Sequence, residues 1–252
     1  MLTSKRGKYR FEKGDEVLVP AVTWSTSLFP IIQLGLNPVL VDVKNDTFNV
    51  DVQSCEKAIT NRTKALFAVH LLGNPVNIDE LMDFCNNNSL VFIEDCCEAT
   101  GTMWDNQNIG TFGVSSSFSF MFAHHISTIE GGIVCCKDEL DDSIIKASRA
   151  HGWVREINKE RKLDIINNSD VDSERFLFWE LGYNVRPTEI SATLGINELQ
   201  KIDKYVEIRN MNYEEYKSRL KLLDDKIQIQ NLEDEKKSFR SSFSFGFSIN
   251  DT

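Results

Sequence analysis

The stretch Ser117–Gly132 has the sequence Ser-Phe-Ser-Phe-Met-Phe-Ala-His-His-Ile-Ser-Thr-Ile-Glu-Gly-Gly. Phenylalanines alternate from Phe118 to Phe122, which predicts a buried strand that leads into a polar turn. The turn carries the tandem pair His124 and His125, and its closing Gly-Gly lets the backbone reverse or approach a ligand closely. Two ionisable imidazoles in such a connection predict a functional site, and a purely structural role for them is the alternative.

The composition bounds the classes of protein to consider. A chain of 252 residues that is 41% hydrophobic can bury a sizeable core in one or two domains. Its net charge of −10 argues against non-specific nucleic-acid binding, which needs a basic surface. No apolar run reaches transmembrane length, and residues 1–13 are basic and polar. We therefore expect a cytoplasmic protein with neither a nucleic-acid nor a membrane partner.

The six cysteines do not form a recognisable ligand or redox motif. They include two adjacent pairs, Cys96-Cys97 and Cys135-Cys136, and no CxxC. Adjacent residues on a strand point to opposite faces, so such pairs are poorly placed to bridge each other. We expect free thiols in a reducing compartment, and no metal site.

Short apolar strands alternate with helical patterns along most of the chain. The predicted strands are Glu16–Pro20, Pro38–Asp42, Ala65–His70, Leu90–Glu94 and Ile133–Cys136, and the predicted helices are Thr26–Leu34, Asp51–Ile59, Asn77–Asn87, Asp138–Ala150 and, as one tract or two, Thr188–Leu220. This order predicts an α/β domain with a mostly parallel sheet. Ligands bind at the carboxyl ends of such strands, so Asp95, one residue past a predicted strand, is a site candidate. A solvated loop aspartate is the alternative.

Two later segments have other patterns. Asn158–Arg175 is polar and charged, which predicts a mobile surface excursion without regular structure. From residue 224 onward, apolar and polar residues alternate around Phe243, Phe245 and Phe247. This alternation predicts the first strand of a second domain.

Eight segments, in this order along the chain, carry a resemblance to one family. They are Gly14–Pro20, Val39–Val43, Asp46–Asp51, Val69–Gly73, Ile93–Asp95, Ser119-Phe120, Glu130–Gly132 and Gly182–Asn184. Together they resemble the DegT/DnrJ/StrS sugar aminotransferases, which use pyridoxal phosphate (PLP) on the aspartate-aminotransferase-like fold, PLP-dependent transferase fold type I. The resemblance covers nearly the whole chain, and no single segment is specific without the others.

The resemblance implies a division into two domains. Residues 14–205 would form the large cofactor-binding α/β domain, a mostly parallel sheet with helices on both faces. Residues 206–252 would begin a small α+β domain. We expect the family's N-terminal elements, which help to bind the cofactor phosphate, and the rest of the small domain to be missing from this chain.

The resemblance also assigns site residues. Asp95 would pair with the protonated pyridine nitrogen of the cofactor, and Trp24 would stack on its ring, a core tryptophan being the alternative. Ser119 would hold the cofactor phosphate, and Glu98 stands near the ring hydroxyl. Asn184 would reach the phosphate of the neighbouring subunit, which implies a homodimer with shared active sites.

At His124 the sequence departs from the aminotransferases, which have at that position the lysine that binds PLP covalently. The double histidine, with His125 in a supporting role, is similar to the family's 3-dehydratase branch, which acts on nucleotide-linked 4-keto-6-deoxyhexoses. An imidazole, with a pKa of about 6.5 against about 10.4 for lysine, can move a proton near neutral pH. The resemblance thus implies a dehydratase that uses pyridoxamine phosphate (PMP) and removes the C3 hydroxyl. His124 would transfer the proton and L-glutamate would re-aminate the cofactor, in deoxysugar or lipopolysaccharide biosynthesis.

Three other functions remain to be weighed. A sugar aminotransferase of the same family is opposed by the missing lysine, and a nicotinamide-binding protein by the lack of a GxGxxG motif after any predicted strand. A non-catalytic dimer partner that lends Asn184 is the third. One relative in the dehydratase branch uses an iron–sulfur cluster held by cysteines downstream of the histidine, but no cysteine follows Cys136 here. We therefore expect no such cluster.

Overall fold

The computed structural model describes residues 1–168 and 174–250. The chain forms two compact units, residues 1–12 with 136–188 and residues 13–135 with 189–252. The division into domains at residue 205 stays a prediction, and the last two residues of its second domain, 251 and 252, lie outside the described ranges.

Most of the predicted elements are present within one to three residues. The strands are β1 (Glu16–Pro20), β2 (Asn37–Val41), β3 (Thr63–Val69), β4 (Val91–Asp95), β5 (Met103–Trp104), β6 (Gln107–Asn108), β7 (Ser115–Ser119), β8 (Gly132–Cys136), β9 (Ile227–Ile229), β10 (Ser238–Phe239) and β11 (Phe247–Ile249). The helices are α1 (Ser25–Gln33), α2 (Val52–Ala58), α3 (Ile78–Asn87), α4 (Glu139–Ser148), α5 (Lys159–Asn167), α6 (Glu189–Leu199) and α7 (Ile202–Leu220).

The main sheet has six strands in the order β2-β1-β3-β4-β7-β8. Strands β2, β1, β3, β4 and β7 pair in parallel, each with the next. The sheet therefore confirms the predicted α/β architecture. Because neighbouring parallel strands end at the same edge, the carboxyl ends of β4 and β7 lie together, and this edge carries the candidate site.

The core of the larger unit lies between the sheet and helices α2 and α3. Leu18, Leu66 and Phe92 project from neighbouring strands towards Leu81 and Phe84 of α3, and all five are buried. Each such side chain contributes about 1.5–3 kcal/mol by leaving water. This packing holds the strands whose ends carry the site.

Two of the predicted helix starts, at Asp51 and Asp138, are confirmed by capping hydrogen bonds. The Asp51 carboxylate accepts hydrogen bonds from the backbone amides of Gln53 and Ser54, at 3.3 and 3.0 Å. Asp138 caps α4 in the same way through the amide of Leu140, at 2.9 Å. These bonds satisfy amides that have no partner inside the helix.

The smaller unit has its own apolar cluster of Ala147, Val154 and Ile157. The prediction of an irregular segment over residues 158–175 is wrong for Lys159–Asn167, which form α5. Asn158 starts this helix, because its side-chain oxygen accepts from the amide of Arg161 at 2.8 Å. Residues 169–173 of that prediction lie outside the described residues.

Two predictions from alternating phenylalanines are also wrong in position. Strand β7 ends at Ser119, and Phe122 lies beyond it with its side chain 73% exposed. The chain turns at Phe120, whose backbone carbonyl accepts from the amide of Thr128 at 2.8 Å and closes the loop there. Near the end of the chain, β11 begins only at Phe247 and pairs antiparallel with β9.

Candidate active site

The carboxylate of Asp95 lies at the end of β4 and is 9% exposed. Its Oδ2 accepts a hydrogen bond from the Ser27 hydroxyl at 2.7 Å, and its Oδ1 accepts from the backbone amide of Cys97 at 3.0 Å. These two hydrogen bonds fix the orientation of the carboxylate. The alternative considered for Asp95, a solvated aspartate in a loop, is therefore wrong, because its carboxylate is buried and hydrogen-bonded.

Trp24 immediately precedes helix α1, and its side chain is 74% exposed. A core tryptophan, the alternative for this residue, is therefore wrong. Its loop is joined to the acid, because the Thr23 hydroxyl donates to Ser27 Oγ at 2.9 Å and Ser27 donates in turn to Asp95. The indole ring is thus free to cover a planar ligand bound near the end of β4.

Ser119 and His124 come together at the end of β7. The Ser119 hydroxyl lies 3.4 Å from His124 Nδ1 and also accepts from the backbone amide of Met121 at 3.3 Å. Burial lowers the pKa of the half-buried His124, Arg209 lowers it further, and the nearby Asp95 carboxylate partly offsets the fall. The lowered pKa favours a neutral imidazole at pH 7, and Nδ1 is the ring nitrogen that faces Ser119.

Glu98 lies a turn after Asp95 and is half-buried. Its Oε2 accepts from the backbone amide of Leu72 at 2.9 Å, and Leu72 has a left-handed backbone with φ of 56°. Burial raises the pKa of Glu98 and the neighbouring Asp95 adds to the rise, while the Leu72 amide opposes it. Glu98 therefore ties the loop after β3 to the loop after β4.

Asn184 belongs to the smaller unit and is exposed. Its backbone forms an isolated antiparallel bridge with Ala150, and its side-chain oxygen accepts from Arg186 Nη2 at 3.3 Å. Its role towards a neighbouring subunit stays a prediction.

A buried network beside Asp95 was not predicted from the sequence. His70 Nδ1 accepts from the Val76 amide at 3.2 Å, so the ring proton is on Nε2, which donates to Glu94 Oε2 at 3.2 Å. Glu94 also accepts from the amides of Gly110, Phe112 and Gly113 at 2.7, 2.9 and 2.7 Å. The apolar residues around Glu94 in the sequence indicate only a strand. Its partners come from a loop about 16–19 residues further on, and no local pattern reveals them.

Glu94 keeps its charge in this network. Burial alone would raise its pKa, but the His70 hydrogen bond and the backbone amides outweigh burial and leave the pKa below its ordinary value. The ligand atoms of His70, Glu94 and Cys96 lie within 4.8 Å of one another, a grouping compatible in principle with a metal ion. The histidine lone pair and the carboxylate oxygens are already used by protein donors, so the cluster is a hydrogen-bond network that fixes the end of β4.

Phe243 is a second unpredicted neighbour of the site. Its ring centroid lies 5.3 Å from that of His124 and 5.8 Å from that of His125. The sequence pattern assigned Phe243 to a strand, whereas the residue lies before β11 and packs on the two histidines.

The fold and the site define an α/β protein of the kind that binds a ligand at the carboxyl ends of a parallel sheet, with a buried acid and a neutral imidazole on adjacent strand ends. The model of the DegT/DnrJ/EryC1/StrS aminotransferase family matches residues 7–250, and the chain belongs to this family.

Two relatives show which branch the chain is similar to. GDP-4-keto-6-deoxy-D-mannose 3-dehydratase of Escherichia coli O55:H7 is 41% identical over 214 residues, which are 85% of this chain and 55% of the relative. The lipopolysaccharide biosynthesis protein RfbH of Salmonella typhimurium is 34% identical over 260 residues, covering 100% of this chain and 59% of the relative. The chain thus spans little more than half the length of these relatives.

Solved structures agree with the sequence relatives. A GDP-4-keto-6-deoxymannose-3-dehydratase variant with bound GDP-perosamine superposes with a TM-score of 0.85 at 37% identity, covering 96% of this chain and 62% of that one. The same enzyme with a trapped PLP–glutamate geminal diamine gives 0.83 at 34% identity, covering 99% and 63%. The predicted PLP-dependent transferase fold is therefore confirmed.

Hydropathy adds one fact about the described part of the chain: none of its helices combines the length and the apolar character that crossing a membrane requires.

Proposed function

We propose that this chain belongs to a PMP- and PLP-dependent enzyme that removes the C3 hydroxyl from a nucleotide-linked 4-keto-6-deoxyhexose, in the biosynthesis of deoxysugars for lipopolysaccharide. One observation carries the proposal. An imidazole, His124, lies beside Ser119 and near the buried Asp95, at the position where the family's aminotransferases have a lysine. The similarity to 3-dehydratases supports the same reading.

The chemistry of the side chains present fits the cofactor. Asp95, held by Ser27 and Cys97, offers its carboxylate to the cofactor's pyridine nitrogen, and the exposed Trp24 offers a ring face. The Ser119 hydroxyl would bind the phosphate, and Glu98 lies close to Asp95. When bound, the cofactor supplies an electron sink, which a cationic pyridine ring strengthens.

His124 would transfer the protons of the reaction. Its Nδ1 faces Ser119, so Nε2 is the atom that takes a proton and gives one to the departing hydroxyl oxygen at C3. Because burial keeps the ring neutral at pH 7, it can accept first and donate afterwards. Proton transfer by a positioned group typically contributes 10²–10⁴-fold to a rate, on the order of 3–5 kcal/mol.

The substrate and the amino donor follow from the relatives. One solved relative holds a GDP-linked sugar and another a PLP–glutamate adduct. We propose a nucleotide-sugar substrate and L-glutamate as the donor that re-aminates the cofactor. Nucleotide sugars are in keeping with the cytoplasmic location expected from the sequence, which stays a prediction.

We also propose a homodimer with shared active sites, to which Asn184 contributes. Large apolar side chains are exposed in both units, on the segment before α6 and on α6 itself. They are Phe176, Phe178, Leu181, Tyr183, Val185, Ile190, Ile196 and Leu199. Large apolar side chains that are exposed in such numbers favour burial against a partner.

Product mass tests the proposed function. The chain is incubated with PMP, L-glutamate and GDP-4-keto-6-deoxymannose, and the mass of the sugar product is measured by mass spectrometry. We expect loss of one hydroxyl oxygen without gain of nitrogen. An amino sugar would instead make the chain an aminotransferase. Absence of both turnover and PMP binding would leave it as a non-catalytic dimer partner.

The variant His124→Lys separates the first two functions. It should lose dehydration by about 10²-fold or more, because the lysine ammonium cannot accept a proton at pH 7. With added PLP it should also form an imine at the new lysine, which borohydride reduces to a stable amine that is visible as an increase in protein mass. A His124→Lys variant that retains full dehydration would refute the assignment of proton transfer to this residue.

A further inference from the structure

The segment Ser241–Phe243 covers the histidine pair, although it lies far from it in sequence. The Phe243 ring faces both imidazoles, with centroid distances of 5.3 Å to His124 and 5.8 Å to His125. All of these residues belong to the larger unit. An aromatic ring at this distance excludes water from one side of the His124 ring.

His125 is hydrogen-bonded to this segment. It is 2% exposed, and its Nε2 lies 3.0 Å from the backbone carbonyl oxygen of Ser241. A carbonyl can only accept, so the ring proton is on Nε2 and points at Ser241. The other nitrogen, Nδ1, is buried and has no hydrogen-bond partner among the described residues. Burial lowers the pKa of His125 to about 4, so this ring stays neutral through the physiological range.

Hydrogen bonds join the segment to the loops after β3 and β4. The Ser241 amide donates to Thr102 Oγ1 at 3.1 Å, and the Ser241 hydroxyl donates to the Thr100 carbonyl at 2.7 Å. The Phe243 amide donates to the Leu72 carbonyl at 3.1 Å. These bonds tie Ser241 and Phe243 to the two loops.

Helix α7 also holds the segment. Arg209 Nη1 donates to the Phe243 carbonyl at 2.9 Å, and its guanidinium carbon lies 6.0 Å from the Phe243 ring centroid. Asn210 accepts from the Ser242 amide at 3.0 Å. The charged or titratable groups around His124 are thus Asp95, Arg209 and the neutral His125.

We propose that the Ser241–Phe243 segment is the positioning element of His124, and that His125 is the strut that holds this element in place rather than a second proton carrier. The proposal rests on the proposed function only in taking His124 as the group that transfers the proton. His125 acts through Phe243, so both are positioning residues.

Titration of the cofactor-free chain tests the proposal without any turnover. The protein contains four histidines, so NMR of histidine labelled with ¹³C at the ring Cε1 gives few signals, which single replacements assign. We expect Phe243→Leu to raise the pKa of His124 by about 0.5 unit or more, because water reaches the ring. Phe245→Leu is the matched control, since Phe245 packs on Tyr213 and Tyr216 and not on the histidines.

Two replacements of His125 test the strut. Glutamine places an amide N–H where Nε2 donates but cannot carry a proton, whereas leucine removes the donor. His125→Leu should shift the His124 titration as Phe243→Leu does, and His125→Gln should restore most of the original value. Unchanged titration of His124 in both Phe243→Leu and His125→Leu would overturn the proposal.

Dehydration kinetics supply the second readout. In His125→Leu we expect kcat to fall by about 10-fold or more with KM changed little, because His125 is buried away from a ligand while the loss of its bond to Ser241 displaces His124. His125→Gln should recover most of that loss. If His125→Gln is as inactive as His125→Leu while its His124 titrates normally, His125 carries protons itself and the proposal is wrong. Should the unmodified chain not turn over at all, the proposed function fails, and the titration still decides the role of the strut.

Discussion

Replacing Glu94 by glutamine keeps the shape of the side chain and changes one carboxylate oxygen into an N–H₂ group. In the native chain, Oε2 accepts from His70 Nε2 and the Gly110 amide, and Oε1 accepts from the amides of Phe112 and Gly113. All four donors converge on a side chain that is fully buried. The amide oxygen of glutamine can serve one pair of donors only, so its N–H₂ must face the other pair.

The cost of this replacement can be worked from those contacts. Two buried donors lose their acceptor, at about 1–3 kcal/mol each, so Glu94→Gln should lower the free energy of unfolding by about 2–6 kcal/mol. His70 cannot adapt by changing tautomer, because its Nδ1 accepts from the Val76 amide. The loss is large against the total stability of about 5–15 kcal/mol that is usual for a domain.

Urea unfolding of the cofactor-free chain, followed by circular dichroism, measures the effect. Glu56→Gln is the matched control, because Glu56 lies exposed on α2, and its replacement should stay within about 0.5 kcal/mol. The native protein offers a second measurement that needs no variant. Since the pKa of Glu94 is lowered, its contribution is complete above the ordinary carboxyl range and is lost as the pH falls through the lowered value. A Glu94→Gln chain that unfolds at the same urea concentration as Glu56→Gln would refute this account of the network.

Three further predictions concern the site and its support. Asp95→Asn should weaken PMP binding, measured by titration calorimetry, by about 1.5–3 kcal/mol, since a charge-assisted hydrogen bond is lost, while the exposed Asp83→Asn should leave it unchanged. The pKa of His125 is lowered from 6.5 to about 4, so the folded chain should lose on the order of 3 kcal/mol of stability as the pH falls from 6.5 towards 4, and His125→Gln should flatten that part of the stability profile. Gly73→Ala should lower the thermal unfolding temperature, because Gly73 has φ of 83° and an added Cβ would collide with the Ser241 carbonyl oxygen.

The sheet could be predicted because its information is local. Apolar runs such as Glu16–Pro20 and capping residues such as Asp51 carry their signal within a few positions, and both lie where the sequence indicates. The choice of Asp95 as a site candidate followed from the same logic, since it needed only the end of a strand, whereas its burial came from the structure. The tandem histidines in a turn predicted a site, but the role of His124 in proton transfer needed the family resemblance, because the local pattern does not say what an imidazole does there.

The remainder of the site depends on contacts between distant parts of the chain. Alternation at Phe243 resembles a strand, yet its ring packs on the histidines before β11 begins. Ser27 lies in a polar helix start, and only its contact with Asp95, 68 positions away, gives it a role. Periodicity also missed α5, because few of the residues in Lys159–Asn167 are apolar.

The contact between His125 and Ser241 joins residues that are 116 positions apart. Closing so long a stretch costs chain entropy and is slow, so it belongs to the end of folding rather than to its beginning. On the ribosome, the imidazole pair emerges early and must wait until residue 243 has left the exit tunnel. Until then neither imidazole can have the cover that the Phe243 ring gives it in the folded chain.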